Sequence, residues 1–159
     1  MRKKLSDTIT RWGEQYQSSQ AEQGASASAD SSPDENDRGL KKLLRAGYIV
    51  TGIINRRLIL HRPGEIYVIV KLQGRIVAIV LADRFNNRDR VELVASATLP
   101  DYVLYPDREG TVRGAGTAAV RELARYLQQQ GARTLFSEVI SQPSARVKQK
   151  VGFSFKGEI

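Results

Sequence analysis

Apolar positions first recur at helical spacing near the start of the chain. Leu5, Ile9 and Trp12 fall roughly in line and predict a short helix over 2–18. The run Gln-Ala-Glu-Gln-Gly-Ala-Ser-Ala-Ser-Ala-Asp-Ser-Ser-Pro at 20–33 is small, polar and without period. Such a segment buries too little apolar surface to offset the entropy of ordering, so 19–37 reads as a linker and the first helix as tethered rather than packed. A basic helix is expected from Asp37 to about Ala46, with Gly47 as its stop. Beyond it, Tyr-Ile-Val-Thr-Gly-Ile-Ile at 48–54 looks like a strand by its β-branched content, and Leu58-Ile-Leu-His61 resembles another.

From residue 65 the pattern alternates. Ile66, Val68, Val70 and Leu72 share one face of a strand, and Gln73-Gly74 supplies a tight turn. Ile76 to Leu81 is apolar on both faces, as a central strand requires. Asn86-Asn-Arg-Asp interrupts, and Val91 to Leu99 completes an antiparallel meander. A Pro-, Asp- and Gly-rich loop from Pro100 leads into a helix over 115–130, where Val120, Leu123, Ala124 and Leu127 form one stripe and Gly131 ends it. Thr134 to Ile140 is then a strand, Ser141-Gln-Pro-Ser opens a short helix, Gly152 closes it and Phe153 begins a last strand. No internal repeat is present. This organisation divides the chain into an N-terminal helix with a flexible linker, 1–37, and a folded domain, 38–159.

Composition narrows the chemistry. The 159 residues contain no cysteine, which excludes a disulfide scaffold, a thiolate metal site and a cysteine nucleophile. The single histidine, His61, has no carboxylate cluster beside it in sequence, so neither a metal centre nor a serine triad is expected. The basic tip Met1-Arg-Lys-Lys precedes no apolar block and no apolar run reaches membrane-span length, so no secretory leader and no membrane span are expected and a cytoplasmic protein is. The net charge is +8. Arg38, Lys41, Lys42, Arg45, Arg56, Arg57 and Arg62 fall in one stretch without an acidic residue. That stretch is either a solvated face or a docking face for a polyanion or acidic partner.

The most chemically specific segment is 111–118, Thr-Val-Arg-Gly-Ala-Gly-Thr-Ala, at the start of the amphipathic helix. Gly114 and Gly116 remove Cβ atoms where a ligand would approach the backbone. The first N–H groups of a helix have no intrahelical acceptor and lie at the positive end of its dipole, so a phosphate placed there satisfies them. Arg113 adds a charged donor. Neither a P-loop, which needs Gly-Lys-Ser/Thr, nor the dinucleotide fingerprint, which needs a third glycine after a parallel strand, is present.

In this setting the segment resembles the signature Gln/Arg-x-x-Gly-x-Gly/Ala of the GNAT superfamily of acyl-CoA N-acyltransferases, matched by Arg113, Gly116 and Ala118. The segment Ser141–Phe153 is similar to the family's Asn-x-x-Ala/Ser-x-x-x-Tyr-x-x-x-Gly-Phe, matched by Ser144, Gly152 and Phe153. Ser141 stands at the family's Asn and Lys148 at its Tyr, which in the family often protonates the departing thiolate. The resemblance covers about 65–157 and stops short of the family's seventh strand.

The resemblance implies an α+β fold: a mixed, largely antiparallel central sheet flanked by helices in three layers, α/β/α. It implies acyl-CoA, most simply acetyl-CoA, as acyl donor, with no metal. Val112, Arg113, Gly114, Ala115, Gly116, Thr117, Ala118 and Ser144 would contact it. The acceptor is an amine on a protein, a small molecule or an aminoacyl-tRNA. Transfer needs a base for the amine proton and an acid for the thiolate. Glu92 on the third strand of the meander is the first candidate base, weighed against an ordinary strand carboxylate, and Glu138 is the second. Tyr105, or Tyr102, is the candidate acid in place of the family's Tyr, weighed against a half-buried loop aromatic. The alternative function is a catalytically degenerate GNAT-fold protein that binds nucleic acid or an acidic protein through 38–62. A bare sheet edge also invites a homodimer.

Overall fold

The computed structural model describes residues 2–27, 35–60, 62–84, 89–105, 107–111 and 114–137, with the backbone alone at 23–27 and 35–38. Its elements are α1 (Arg2–Ala27), α2 (Glu35–Leu60), β1 (Glu65–Leu72), β2 (Arg75–Asp83), β3 (Arg90–Thr98), α3 (Pro100–Leu104), α4 (Ala115–Gln129) and β4 (Thr134–Phe136). This is a mixed α+β architecture with one four-stranded sheet in the order β1-β2-β3-β4. The chain forms two compact units. One holds the residues up to Arg62 together with 97–113, and the other holds 63–96 and the residues from Gly114 on.

The first unit is built on a pair of long helices. α1 buries Leu5, Ile9, Trp12 and Tyr16, and α2 buries Leu44, Thr51, Ile54 and Leu58. With Gly47 between Leu44 and Thr51, the α2 positions are spaced by three and four residues, the seam of two helices packed side by side. The helices run antiparallel, because Gly13 faces Thr51 while Tyr16 faces Gly47. A Cβ on Gly47 would clash with the Tyr16 ring. Gly47 is therefore a contact residue in mid-helix rather than a stop. The Thr51 hydroxyl donates within its own helix, at 2.9 Å from the Gly47 carbonyl and 3.0 Å from that of Tyr48, and so is buried without an unmet donor. Fully burying a leucine or isoleucine contributes about 1.5–3 kcal/mol. That contribution recurs along the seam and outweighs the weak helix preference of glycine and β-branched residues.

Five expectations are corrected here. The helix expected over 2–18 continues to Ala27, and the expected linker at 19–37 is helical at both ends. α1 is packed rather than tethered. The strand expected over 48–54 and residues 58–60 of the next are part of α2, His61 lies outside the described residues, and Gly47 does not end that helix.

The second unit follows the alternating pattern. β1 and β2 pair antiparallel from Glu65 opposite Asp83 to Leu72 opposite Arg75, with a bulge that leaves Val77 unmatched between the partners of Val70 and Lys71. Gln73 and Gly74 both take positive φ, 52° and 77°, so the turn is of the hairpin type that suits right-handed strand twist. Ile76 to Asp83 are buried without interruption, as expected of a strand covered on both faces. β4 runs parallel to β3, with Arg90, Val91 and Glu92 opposite Thr134, Leu135 and Phe136. The Asp89 carbonyl sets that register by accepting from the N–H groups of Arg133 at 2.9 Å and Thr134 at 2.8 Å. α4 packs on β1 and β2 through Ala119, Val120, Leu123 and Leu127, all buried. Gly131, at φ 85°, ends α4 in the left-handed conformation, and the Ala132 N–H returns to the Leu127 carbonyl at 3.0 Å. The expected strand at 134–140 is seen as far as Phe136. Ser137 already lies past it, and the part from Glu138 on, the helix from Ser141 and the last strand lie outside the described residues.

Candidate functional site

The predicted anion-binding turn forms the N-terminus of α4. Gly114 is its N-cap, at φ 88° and ψ 7°, a conformation that disfavours any side chain. A Cβ built there meets nothing within 4 Å among the described residues, so the glycine answers a backbone requirement rather than a packing one. The helix closes its first bond from the Ala118 N–H to the Gly114 carbonyl at 2.8 Å. The N–H groups of Ala115, Gly116 and Thr117 therefore form the unmatched first turn. Ala115 and Gly116 are buried and Ala118 is exposed, so the turn has one side against the protein and one toward solvent. No N-cap side chain competes for these donors, because Gly114 has none. Val112, Arg113 and Ser144 lie outside the described residues.

β3 carries the candidate base. Val91, Leu93, Ala95 and Ala97 are buried on one face, whereas Glu92 is half-buried and shares the other face with Val94, Ser96 and Thr98. Opposite Glu92 in the parallel register stands Phe136, whose ring lies under the Arg90 guanidinium at 4.4 Å. One residue further, the Ser137 hydroxyl donates to the Leu93 carbonyl at 3.0 Å. Glu138 lies outside the described residues.

In the other unit, Tyr105 follows α3 and is exposed, while Tyr102 within α3 is half-buried. The Tyr105 ring stacks against the Arg108 guanidinium at 4.0 Å. Its carbonyl accepts from the Arg108 N–H at 3.1 Å and the Thr111 hydroxyl at 2.9 Å. These bonds hold Arg108 and Thr111 to the Tyr105 carbonyl, a few residues ahead of Gly114 in the sequence. Arg108 was not among the residues the sequence pattern pointed to, and Thr111 was marked only as the first residue of the 111–118 segment. The available signal was an arginine three residues after an exposed tyrosine and a threonine at the end of a Pro/Gly-rich loop. Among the described residues no group of three or more His, Asp or Glu side chains could hold a metal ion. No described helix is long and apolar enough to cross a membrane.

A glycine-opened helix on a mixed, largely antiparallel sheet is the arrangement that the sequence resemblance implies. The profile of the acetyltransferase (GNAT) family matches residues 34–153, three quarters of the chain. The chain belongs to the GNAT acetyltransferase family. Its fold is similar to that of a Desulfovibrio desulfuricans protein assigned to GNAT, with 16% identity over 73% of this chain and 76% of that one and a TM-score of 0.55. An aminoglycoside acetyltransferase from an uncultured soil metagenomic sample, solved in complex with sisomicin, matches with 10% identity over 74% and 82% of the two chains and a TM-score of 0.51. The aminoglycoside N-acetyltransferase AAC(6')-Iy in complex with CoA matches with 19% identity over 74% and 87%, at a TM-score of 0.49. At these identities the likeness is one of fold. No curated protein matches this GNAT chain by sequence.

Proposed function

We propose that this chain transfers an acyl group, most simply acetyl, from acyl-CoA to an amine, with the CoA pyrophosphate held at the N-terminus of α4. The observation that carries the reading is Gly114: its left-handed backbone opens the helix, and no described residue lies within 4 Å of where its Cβ would be. Phosphate oxygens at this point would accept from the first-turn N–H groups of Ala115, Gly116 and Thr117 and gain from the helix dipole. Arg113, Val112, Ala118 and Ser144 join this site by the family motif. Residues 38–159 are taken as the transferase domain, acting in the cytoplasm.

In the reaction, the amine nitrogen attacks the thioester carbonyl carbon. Glu92 takes the amine proton, directly or through water, and the C–S bond breaks as the amide forms. Tyr105 is assigned as the acid that protonates the departing thiolate, in place of the tyrosine for which this chain has Lys148. The amine acceptor is left as a class.

Isothermal calorimetry and thermal shift with acetyl-CoA test the cofactor reading. Wild type should bind one acetyl-CoA and melt at higher temperature with it. Gly116→Trp, if it still melts cooperatively, should lose the shift, and Arg113→Glu should weaken binding without filling the turn. No shift for wild type, or an equal shift for both variants, sinks the reading.

A further inference from the structure

We propose that the solvent face of α2 is a docking surface for an anionic lipid bilayer. α2 commits one face to α1, through Leu44, Gly47, Thr51, Ile54 and Leu58. The opposite face is traced by Lys41, Arg45, Tyr48, Gly52, Arg56 and Ile59, in steps of three and four residues, with Lys42, Ile49 and Leu60 alongside. Lys41, Lys42, Arg45 and Arg56 are exposed. So are four large apolar side chains: Ile59 at 72%, Leu60 at 59%, Tyr48 at 44% and Ile49 at 42%. No acidic residue occurs anywhere in 38–64. At the rise of an α-helix, the stripe from Lys41 to Leu60 is about 28 Å long.

Two properties of this stripe choose its occupant. The cations, without a single carboxylate in the same stretch, call for a negative partner. The aliphatic side chains select among negative partners. A phosphodiester backbone satisfies lysine and arginine but offers nothing to Ile49, Ile59 or Leu60, and binding to bases relies on aromatic stacking, for which the stripe has only Tyr48. A bilayer surface offers both at once. Lipid phosphates meet the cationic heads, whose stems lie along apolar surface, and the acyl boundary just below accepts isoleucine and leucine. The helix does not have to unpack from α1 to do this, because its core face points the other way. The reading is independent of acyl transfer.

Co-sedimentation of the full chain with vesicles tests it. The protein should pellet with vesicles of an equal mixture of phosphatidylcholine and phosphatidylglycerol and remain in solution with phosphatidylcholine alone. Lys41→Gln with Lys42→Gln should weaken binding about thirtyfold, from the usual contribution of each cation near an anionic surface. Ile59→Ser with Leu60→Ser should weaken it at least tenfold at unchanged charge, which phosphate contacts alone would not predict. Both pairs are exposed, so circular dichroism melts should match wild type. Absence of pelleting with the mixed vesicles overturns the proposal, as does equal pelleting with both compositions or indifference to the Ile59/Leu60 pair. An RNA oligonucleotide that binds through Lys41 and Lys42 while the vesicles do not pellet would assign the face to nucleic acid instead.

Discussion

At the scale of single residues, the closest constraint is between Tyr16 and Gly47. The ring occupies the space where any side chain at 47 would begin. Gly47→Ala gains about 1 kcal/mol of helix preference but forces the ring or the helix to move, at a typical cost of about 1–3 kcal/mol. The net expectation is a loss of stability, read from the urea midpoint. Tyr16 also carries a pH signature. Burial pushes its phenol well above the ordinary tyrosine value of 10.0. Its hydrogen bond to the Thr98 carbonyl is long at 3.4 Å. The neutral buried phenol therefore stabilises the fold fully below pH ~10 and loses that contribution as pH rises, by about 1.4 kcal/mol per pH unit, until the folded group itself ionises. Tyr16→Phe should cost under about 1 kcal/mol at pH 7 and should flatten the alkaline loss of stability measured by urea titration above pH 10.

At the scale of elements, legibility followed locality. The β1–β2 hairpin was readable because its alternation and its Gln73-Gly74 turn lie within a few residues of each other. α4 was readable because Val120, Leu123 and Leu127 mark one stripe and Gly114 and Gly131 bracket it. α2 was not, because its seam uses Gly47 and Thr51, which no hydrophobic period registers, and its Ile- and Val-rich second half has the local signature of a strand. Its helical state depends on contacts with α1 such as Tyr16 on Gly47, about thirty residues away, and sequence windows do not see that partner. The Glu92 side of β3 was legible as a position but not as a surface, since its opposition to Phe136 depends on the parallel register of β4. The same distinction predicts how α4 responds to substitution. Leu123→Ala should cost about 2–5 kcal/mol. Arg125→Ala should cost under about 0.5 kcal/mol despite a 2.8 Å ion pair with Glu122, because both partners are more than half exposed. Gly114→Ala should cost about 1–2 kcal/mol through its left-handed backbone alone, since its Cβ would meet none of the described residues. Denaturant unfolding of the three variants gives that order directly.

At the scale of the whole molecule, the proposed function separates holding the donor from using it. The donor's phosphates are assigned to backbone groups at the head of α4, and the amine proton to a side chain on β3. If that division holds, removing the carboxylate of Glu92 leaves the phosphate site intact. Glu92→Gln keeps the size and half-buried position of the residue while removing its capacity to take a proton. It should bind acetyl-CoA within about twofold of wild type by calorimetry. Its turnover, followed by thiol release against a panel of primary amines, should fall by about 10²–10⁴. Turnover should partly recover at higher pH, where more of the acceptor amine is already neutral and needs no base. A substitution that merely loosened β3 would lower melting temperature and donor affinity together and would show no such recovery. Unchanged turnover in Glu92→Gln would move the base elsewhere, with Glu138 next in line, and would leave the phosphate site at α4 standing.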